Sequence, residues 1–177
     1  MTDAESLQAA IHEEVALRAY DPHWPAMFEA ERDRLLALFP GDFIAIEHMG
    51  STAVPGLAAK PVIDILGGVA SMAAARALVA PLCAQAYTAS AEFNATLIDR
   101  QWLMRWADGH RTHHLHLVVH GGPVWAQRLQ FRDALRADAA LAWHYAALKA
   151  ELAAKYPADR EAYTEAKAAF VRSVCEG

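Results

Sequence analysis

FIAIEHMGSTAVPGLAAKPVIDILGGV, residues 43–69, decides how this chain is read. Residues 43–48 are rich in Phe and Ile and predict a strand. Residues 50–57 carry Gly, Ser, Thr and Pro and predict a loop with room for one helical turn. Residues 61–69 are apolar almost throughout, the pattern of a central strand buried on both faces. Pro61 is expected at its first residue, where proline is tolerated. One residue breaks the apolar run. Asp64 stands between Ile63 and Ile65, and a carboxylate there is costly unless it is paired or holds a metal.

The flanking sequence supplies helices and a hairpin. YDPHWP (20–25) breaks the chain, and Asp21-Pro22 predicts a helix start with proline in the first turn. Trp24, Met27, Phe28, Leu35, Leu38 and Phe39 then recur at helical spacing, up to a stop near Pro40-Gly41. Residues 3–18 predict a further helix whose thin apolar face implies loose docking or packing on a partner chain. An alanine-rich helix is expected over 71–85 and a short strand over 85–89. Residues 101–106 predict a strand with Trp102, Met104 and Trp106 on one face. Asp108-Gly109 marks a hairpin turn, and 113–119 form the returning strand. Gly121-Gly122-Pro123 opens a helix, and two more follow over 138–155 and 158–175. The order implies an α+β fold: a small mixed sheet flanked by helices, with a C-terminal helical cluster.

Composition bounds the function. The 177 residues suit one domain with a sizeable core. The net charge of −5 argues against an extended nucleic-acid partner, which needs a concentrated basic field. No apolar run approaches the ~20 residues needed to span a bilayer, so no membrane partner is expected. The acidic N-terminal stretch has no signal-peptide pattern. Cys83 and Cys175 fit no zinc-binding spacing, and two free thiols imply a reducing cytoplasm.

Three groups of residues are candidates for chemistry. In the first, Gly50 allows close backbone approach to a ligand, and Ser51 and Thr52 offer hydroxyls beside it. The competing reading is a plain turn capped by Ser51. Asp64 either ligates a divalent cation or pairs with Lys60 or an arginine, and Glu47 lies at the mouth of the adjacent strand. In the second, His114 and His116 share a strand face, opposite Leu115 and Leu117. Two such histidines hold a transition metal if Asp64 or Glu47 supplies a third ligand. Otherwise they bond to phosphate, carboxylate or backbone. His48, His110 and His120 are expected at loops or strand ends. In the third, Arg128, Arg132 and Arg136 share a helix side near Trp125. They form either a solvated face paired with Asp133 and Asp138, or a clamp in which Arg132 takes phosphate.

The segments YDPHWPAMFEAERDRL, IEHMGSTAVPGLAAKPVIDI, RTHHLHLVVHG, LQFRDALRADAALAWHYAALKAEL and YTEAKAAFV, taken in order, resemble the GrpB family. They cover most of residues 20–174. The resemblance implies a nucleotidyltransferase-like domain over 19–177, with 1–18 as an N-terminal helical extension. Related domains are found fused to dephospho-coenzyme A kinases. In that superfamily a Gly-Ser motif holds the triphosphate, an acidic pair on the next strand holds Mg²⁺, and a later strand adds a third carboxylate. Gly50-Ser51 and Asp64 fit the first two elements, with 12 residues between Ser51 and Asp64. The second acid of the pair falls at Leu66, and the later strand offers His114 and His116.

These features imply a metal-dependent nucleotidyl or related phosphoryl-group transferase acting on a small-molecule or nucleotide substrate. Asp64 would hold a divalent cation, Mg²⁺ or Mn²⁺ ahead of Zn²⁺, with Glu47 and the histidines. Gly50, Ser51 and Thr52 would hold phosphate, and Lys60 and Arg132 would neutralise its charge. Leu66 keeps open a non-catalytic nucleotide- or ligand-binding module. The outer helices keep open a protein-interaction module.

Overall fold

The computed structural model describes residues 2–12 and 16–176. Strand β1 (Ala45–Met49) lies antiparallel to β2 (Ile63–Val69), which runs parallel to β5 (His110–Val119). β5 pairs antiparallel with β4 (Gln101–Ala107), and β4 carries the two-residue edge strand β3 (Tyr87–Thr88). The order β1-β2-β5-β4-β3 makes a five-stranded mixed sheet with β2 and β5 inside it. The apolar run of β2 follows from that position: Ile63, Ile65 and Leu66 are fully buried. The strand begins at Ile63, so Pro61 precedes it. β1 begins at Ala45, because Phe43 turns into an apolar cluster against Phe39.

One face of the sheet is sealed by α2 (Trp24–Leu38) and α3 (Met72–Cys83). Trp24, Phe28 and Leu35 from α2, with Leu78 and Leu82 from α3, pack on Ile63, Ile65, Leu103, Leu115 and Leu117. α2 starts at Trp24 and places Pro25, not Pro22, in its first turn. The Asp21 carboxylate instead accepts from the His23 amide at 2.9 Å, closing a turn before the helix. Met27 and Leu38 fall outside the buried stripe and are exposed. Ser71 caps α3 by accepting from the Ala74 amide.

On the other face α5 (Pro123–Ala137) packs on the strands, and α6 (Ala139–Lys155) and α7 (Arg160–Glu176) pack on α5 and on each other. Trp125 and Leu129 of α5 pack on Met49, Leu66 and Val118. Phe131, Tyr145 and Phe170 join the three helices, with ring centroids 5.2–6.4 Å apart. Asp138 caps α6 with two amide bonds. The α+β class, the small mixed sheet and the C-terminal helical cluster are as the sequence implied. Among the described residues, no helix is long and apolar enough to cross a membrane.

Two elements differ from expectation. The first helix, α1, spans Asp3–His12 rather than 3–18. Residues 13–15 lie outside the described residues, and Arg18 pairs with Ala59 through two backbone bonds of 2.8 and 3.0 Å. A polar contact ties α1 to the sheet. Ser6 is fully buried and bonds to Thr88 Oγ1 at 2.7 Å and to Trp106 Nε1 at 2.8 Å. The second difference is α4 (Ala91–Ala95), too short for any periodic signal. Asn94 ties it to β4 by donating to the Trp102 carbonyl and accepting from the Trp102 amide.

Candidate functional site

The site begins with the turn that follows β1. Gly50 has φ +73° and ψ −171°, a conformation open almost solely to glycine. A Cβ built there would lie 2.6 Å from Oδ2 of Asp64. The missing side chain is therefore the space that the Asp64 carboxylate occupies. Ser51–Ala53 form the single helical turn expected in this loop, here a 3₁₀ turn.

Asp64 faces β5, level with His114 in the parallel register. Its Oδ1 lies 3.3 Å from His114 Nδ1 and 3.9 Å from His116 Nε2. One ligand atom from each of the three residues lies within 4.8 Å of the others. Burial raises the Asp64 carboxyl's proton affinity, but the bonds and charges of His114 and His116 outweigh it. The net result is a carboxyl held well below its usual range. His116 is shifted down by burial, against the opposing pull of Asp64.

A β-bulge adds a member that sequence spacing conceals. Arg105 of β4 pairs with His113 and Trp106 pairs with Arg111, so Thr112 is the extra residue. The bulge turns Arg111 onto the face of His114, although three positions apart on a regular strand would oppose them. Arg111 Nη1 lies 2.8 Å from His114 Nε2. Arginine has only donors, so Nε2 accepts and Nδ1 carries the proton given to Asp64. Asp64 thus presents lone pairs to a cation, and His116 does so from Nε2 when its proton sits on Nδ1, which is buried without a hydrogen-bond partner. His114 does so only if its proton moves to Nε2 and Arg111 withdraws.

The remaining residues singled out from sequence divide into two sets. Ser51 and Lys60 line the same cavity as Asp64. Thr52 also borders it, but it is 1% exposed and its hydroxyl is bonded to His48 Nε2 at 2.9 Å. His48, one residue from the end of β1, is buried and stacks on Phe28 at 4.8 Å. Burial lowers its pKa to about 4, with Asp64 opposing and Arg136 and Arg132 adding to the effect.

Glu47 and Arg132 hold each other at 2.9 Å, and Arg132 also donates to the His48 carbonyl and to Asp133. Glu47 sits two residues along β1 from Met49, the partner of Asp64, and stands outside the Asp64 cluster. Arg132 is not on the cavity wall and joins α5 to β1. Arg136 donates to the Ala53 carbonyl at 2.8 Å. Leu66, at the position of the second acid, is fully buried under Trp125 and Leu129.

The cavity has a volume of about 870 Å³ and places the Asp64 cluster among cations from distant parts of the chain. Lys60, Arg100, Arg128, Lys149 and Lys167 line it, against Asp64, Glu161 and Glu165. Lys149 is 2% exposed and donates to the Ala58 carbonyl. Burial, then the charges of Lys167 and Lys60, lower its pKa to about 7, with Asp64 opposing. The ammonium groups of Lys60 and Lys167 both sit over the Tyr163 ring, at 5.6 and 4.7 Å. Sequence reasoning missed Lys149 and Lys167.

The family described as GrpB protein matches residues 14–177. The UPF0157 protein YqkA of Bacillus subtilis (strain 168) is 35% identical over 162 residues, covering 92% of this chain and 46% of its own length. A dephospho-CoA kinase of Mycolicibacterium paratuberculosis is 33% identical over 174 residues, covering 86% of this chain and 43% of its own. The chain thus spans about half the length of these two relatives. The crystal structure of conserved protein GrpB from Enterococcus faecalis matches with a TM-score of 0.79 and 32% identity, over 91% of this chain and 95% of that one.

Proposed function

This chain belongs to the GrpB family, and on that premise we propose that it is a transferase moving a nucleotidyl or related phosphoryl group to a small acceptor, assisted by one divalent cation. The observation that carries the reading is the Asp64–His114–His116 cluster in a cavity lined by five cationic side chains. Phosphate esters are polyanions, and their transfer is driven by positioning and by stabilising charge on the phosphoryl oxygens. Lys60, Lys149 and Lys167 bind and orient the phosphates. Asp64, held ionised, and His116 hold the cation. Gly50 keeps the carboxylate in place, and Ser51 bonds to the phosphate next to it. The cation, when bound, polarises a phosphoryl oxygen. One carboxylate with imidazole suits Mn²⁺ or Zn²⁺ better than Mg²⁺, which prefers oxygen ligands. Mn²⁺ is the ion common to this donor set and to phosphoryl transfer. The likeness to a dephospho-CoA kinase supports a nucleotide-related ligand.

The test is turnover. The protein is incubated with each nucleoside triphosphate, Mn²⁺ and a panel of small hydroxyl and amine acceptors, followed by ³¹P NMR. The reading expects a new phosphoester or phosphoramidate signal together with pyrophosphate, if a nucleotidyl group moves, or nucleoside diphosphate, if a phosphoryl group moves, lost at least about 100-fold in Asp64→Asn. Equal turnover in Asp64→Asn overturns the assignment. Leu66 favours a second reading, a non-catalytic nucleotide-binding module, because an apolar residue occupies the place of the second acid. Saturable nucleotide binding that is indifferent to metal, with no product, selects it.

A further inference from the structure

The cations of the cavity fall into two groups. Lys60 and Lys167 gather on Tyr163, in the first turns of α7, with Lys149 close enough for its charge to be felt by theirs. Arg100 and Arg128 line the same cavity close enough for their charges to be felt by His116, and the charge of Arg128 also reaches Cys175 in the last turn of α7. Tyr163 and Cys175 are 12 residues apart on that helix, about 18 Å along its axis.

The arginine pair lacks what four other arginines of this protein have. Arg32, Arg34, Arg105 and Arg132 each meet a carboxylate. Among the described residues, no ion pair or hydrogen bond holds the guanidinium of Arg100 or Arg128, and the Nε of Arg100 is buried without a partner. Burial and the neighbouring charge of Arg128 both disfavour the Arg100 cation, opposed by exposed Asp99. Two half-buried like charges with no carboxylate in an ion pair with either are unfavourable in the free protein. They become favourable when an oxyanion bridges them, since each guanidinium presents a planar fork of donors.

We propose that Arg100 and Arg128 form a second anion subsite, on the His116 side of the cavity and apart from the lysines gathered on Tyr163, which takes a phosphate or carboxylate carried by the acceptor. This rests on the transferase reading of the cavity, and it narrows the acceptor to an anionic small molecule. The acceptor's charged group docks at the arginines beside Trp102, and its nucleophilic end points toward Asp64.

Calorimetric titration of the full chain with inorganic phosphate, and separately with malonate, at fixed ionic strength tests the subsite. The wild type is expected to take two phosphates per chain. Arg100→Gln/Arg128→Gln should lose one of them, weakened at least about tenfold. Lys167→Gln should weaken the other. Whichever of phosphate or malonate binds tighter at the Arg100/Arg128 site identifies the acceptor's group. The double variant should also melt no lower than wild type in anion-free buffer, since it relieves a repulsion. Unchanged phosphate stoichiometry and affinity in the double variant overturns the subsite, as does a drop in its melting temperature of more than about 5 °C, which marks the pair as structural. Titration with nucleoside triphosphate and Mn²⁺ separates this failure from that of the transferase reading. No nucleotide binding with two phosphates bound refutes the transferase and keeps the subsite.

Discussion

Replacing Gly50 with alanine perturbs the site at its tightest point. The backbone there, at φ +73° and ψ −171°, costs a non-glycine residue about 1–3 kcal/mol. The new Cβ meets Oδ2 of Asp64 at 2.6 Å and its Cβ at 3.1 Å, so the carboxylate must swing away from His114. A hydrogen bond to a charged group contributes about 1.5–3 kcal/mol, and the lower end applies because the Asp64 side chain is 30% exposed. The sum is roughly 3 kcal/mol, or about 6–12 °C in melting temperature for a chain of this size. Gly56 is an internal control. Its φ is +80°, and nothing lies within 4 Å of a Cβ built there, so Gly56→Ala should show the backbone cost alone. Urea unfolding of Gly50→Ala, Asp64→Ala and the double variant separates strain from collision. Asp64→Ala removes the 2.6 Å contact but keeps the Cβ at 3.1 Å, so Gly50→Ala should cost about 1–2 kcal/mol less in that background. Equal costs in the two backgrounds, or a Gly50→Ala loss no larger than that of Gly56→Ala, would refute the coupling of Gly50 to the carboxylate.

His48 gives the fold a dependence on pH. Its pKa falls from 6.5 to about 4 on folding, so the unfolded chain binds the proton first as pH drops. The stability it contributes is complete above pH 6.5 and is lost as pH falls toward 4, by about 2 kcal/mol at pH 5. Unfolding free energies from urea titrations at pH 7.5 and 5.0 should differ by that much less in His48→Gln than in wild type. Leu66→Asp should not restore a second metal ligand: the buried carboxylate beneath Trp125 and Leu129 should destabilise the fold by at least about 3 kcal/mol. A stable Leu66→Asp protein with raised turnover would show that the position opens to the cavity. Arg132→Ala should lower stability by about 1–2 kcal/mol while leaving nucleotide affinity within about threefold, as thermal melts and titration would report, because Arg132 joins α5 to β1.

Much of this architecture is legible in local signals. The apolar run of residues 61–69 announces a central strand, and Asp64 is conspicuous because nothing around it is polar. Strand period two places His114 and His116 on one face, and the antiparallel hairpin follows from Asp108-Gly109. What escapes is information carried by pairing between distant segments. Glu47 and Asp64 are both acids on neighbouring strands, but the register sets Glu47 against Leu66, within reach of Arg132. Arg111 reaches His114 only because a bulge at Thr112 shifts the alternation, and no sequence periodicity encodes that bulge. Lys149 and Lys167 lie on helices whose other residues are alanine-rich and amphipathic. Their aim into the cavity depends on how α6 and α7 pack on α5 and on each other.

The most direct test is calorimetric titration of nucleoside triphosphate into wild-type and Asp64→Asn protein, with and without Mn²⁺. The account predicts saturable binding by the wild type that tightens at least about tenfold with Mn²⁺, and loss of that enhancement in Asp64→Asn. Nucleotide binding that is equal in the two proteins and indifferent to Mn²⁺ would contradict it.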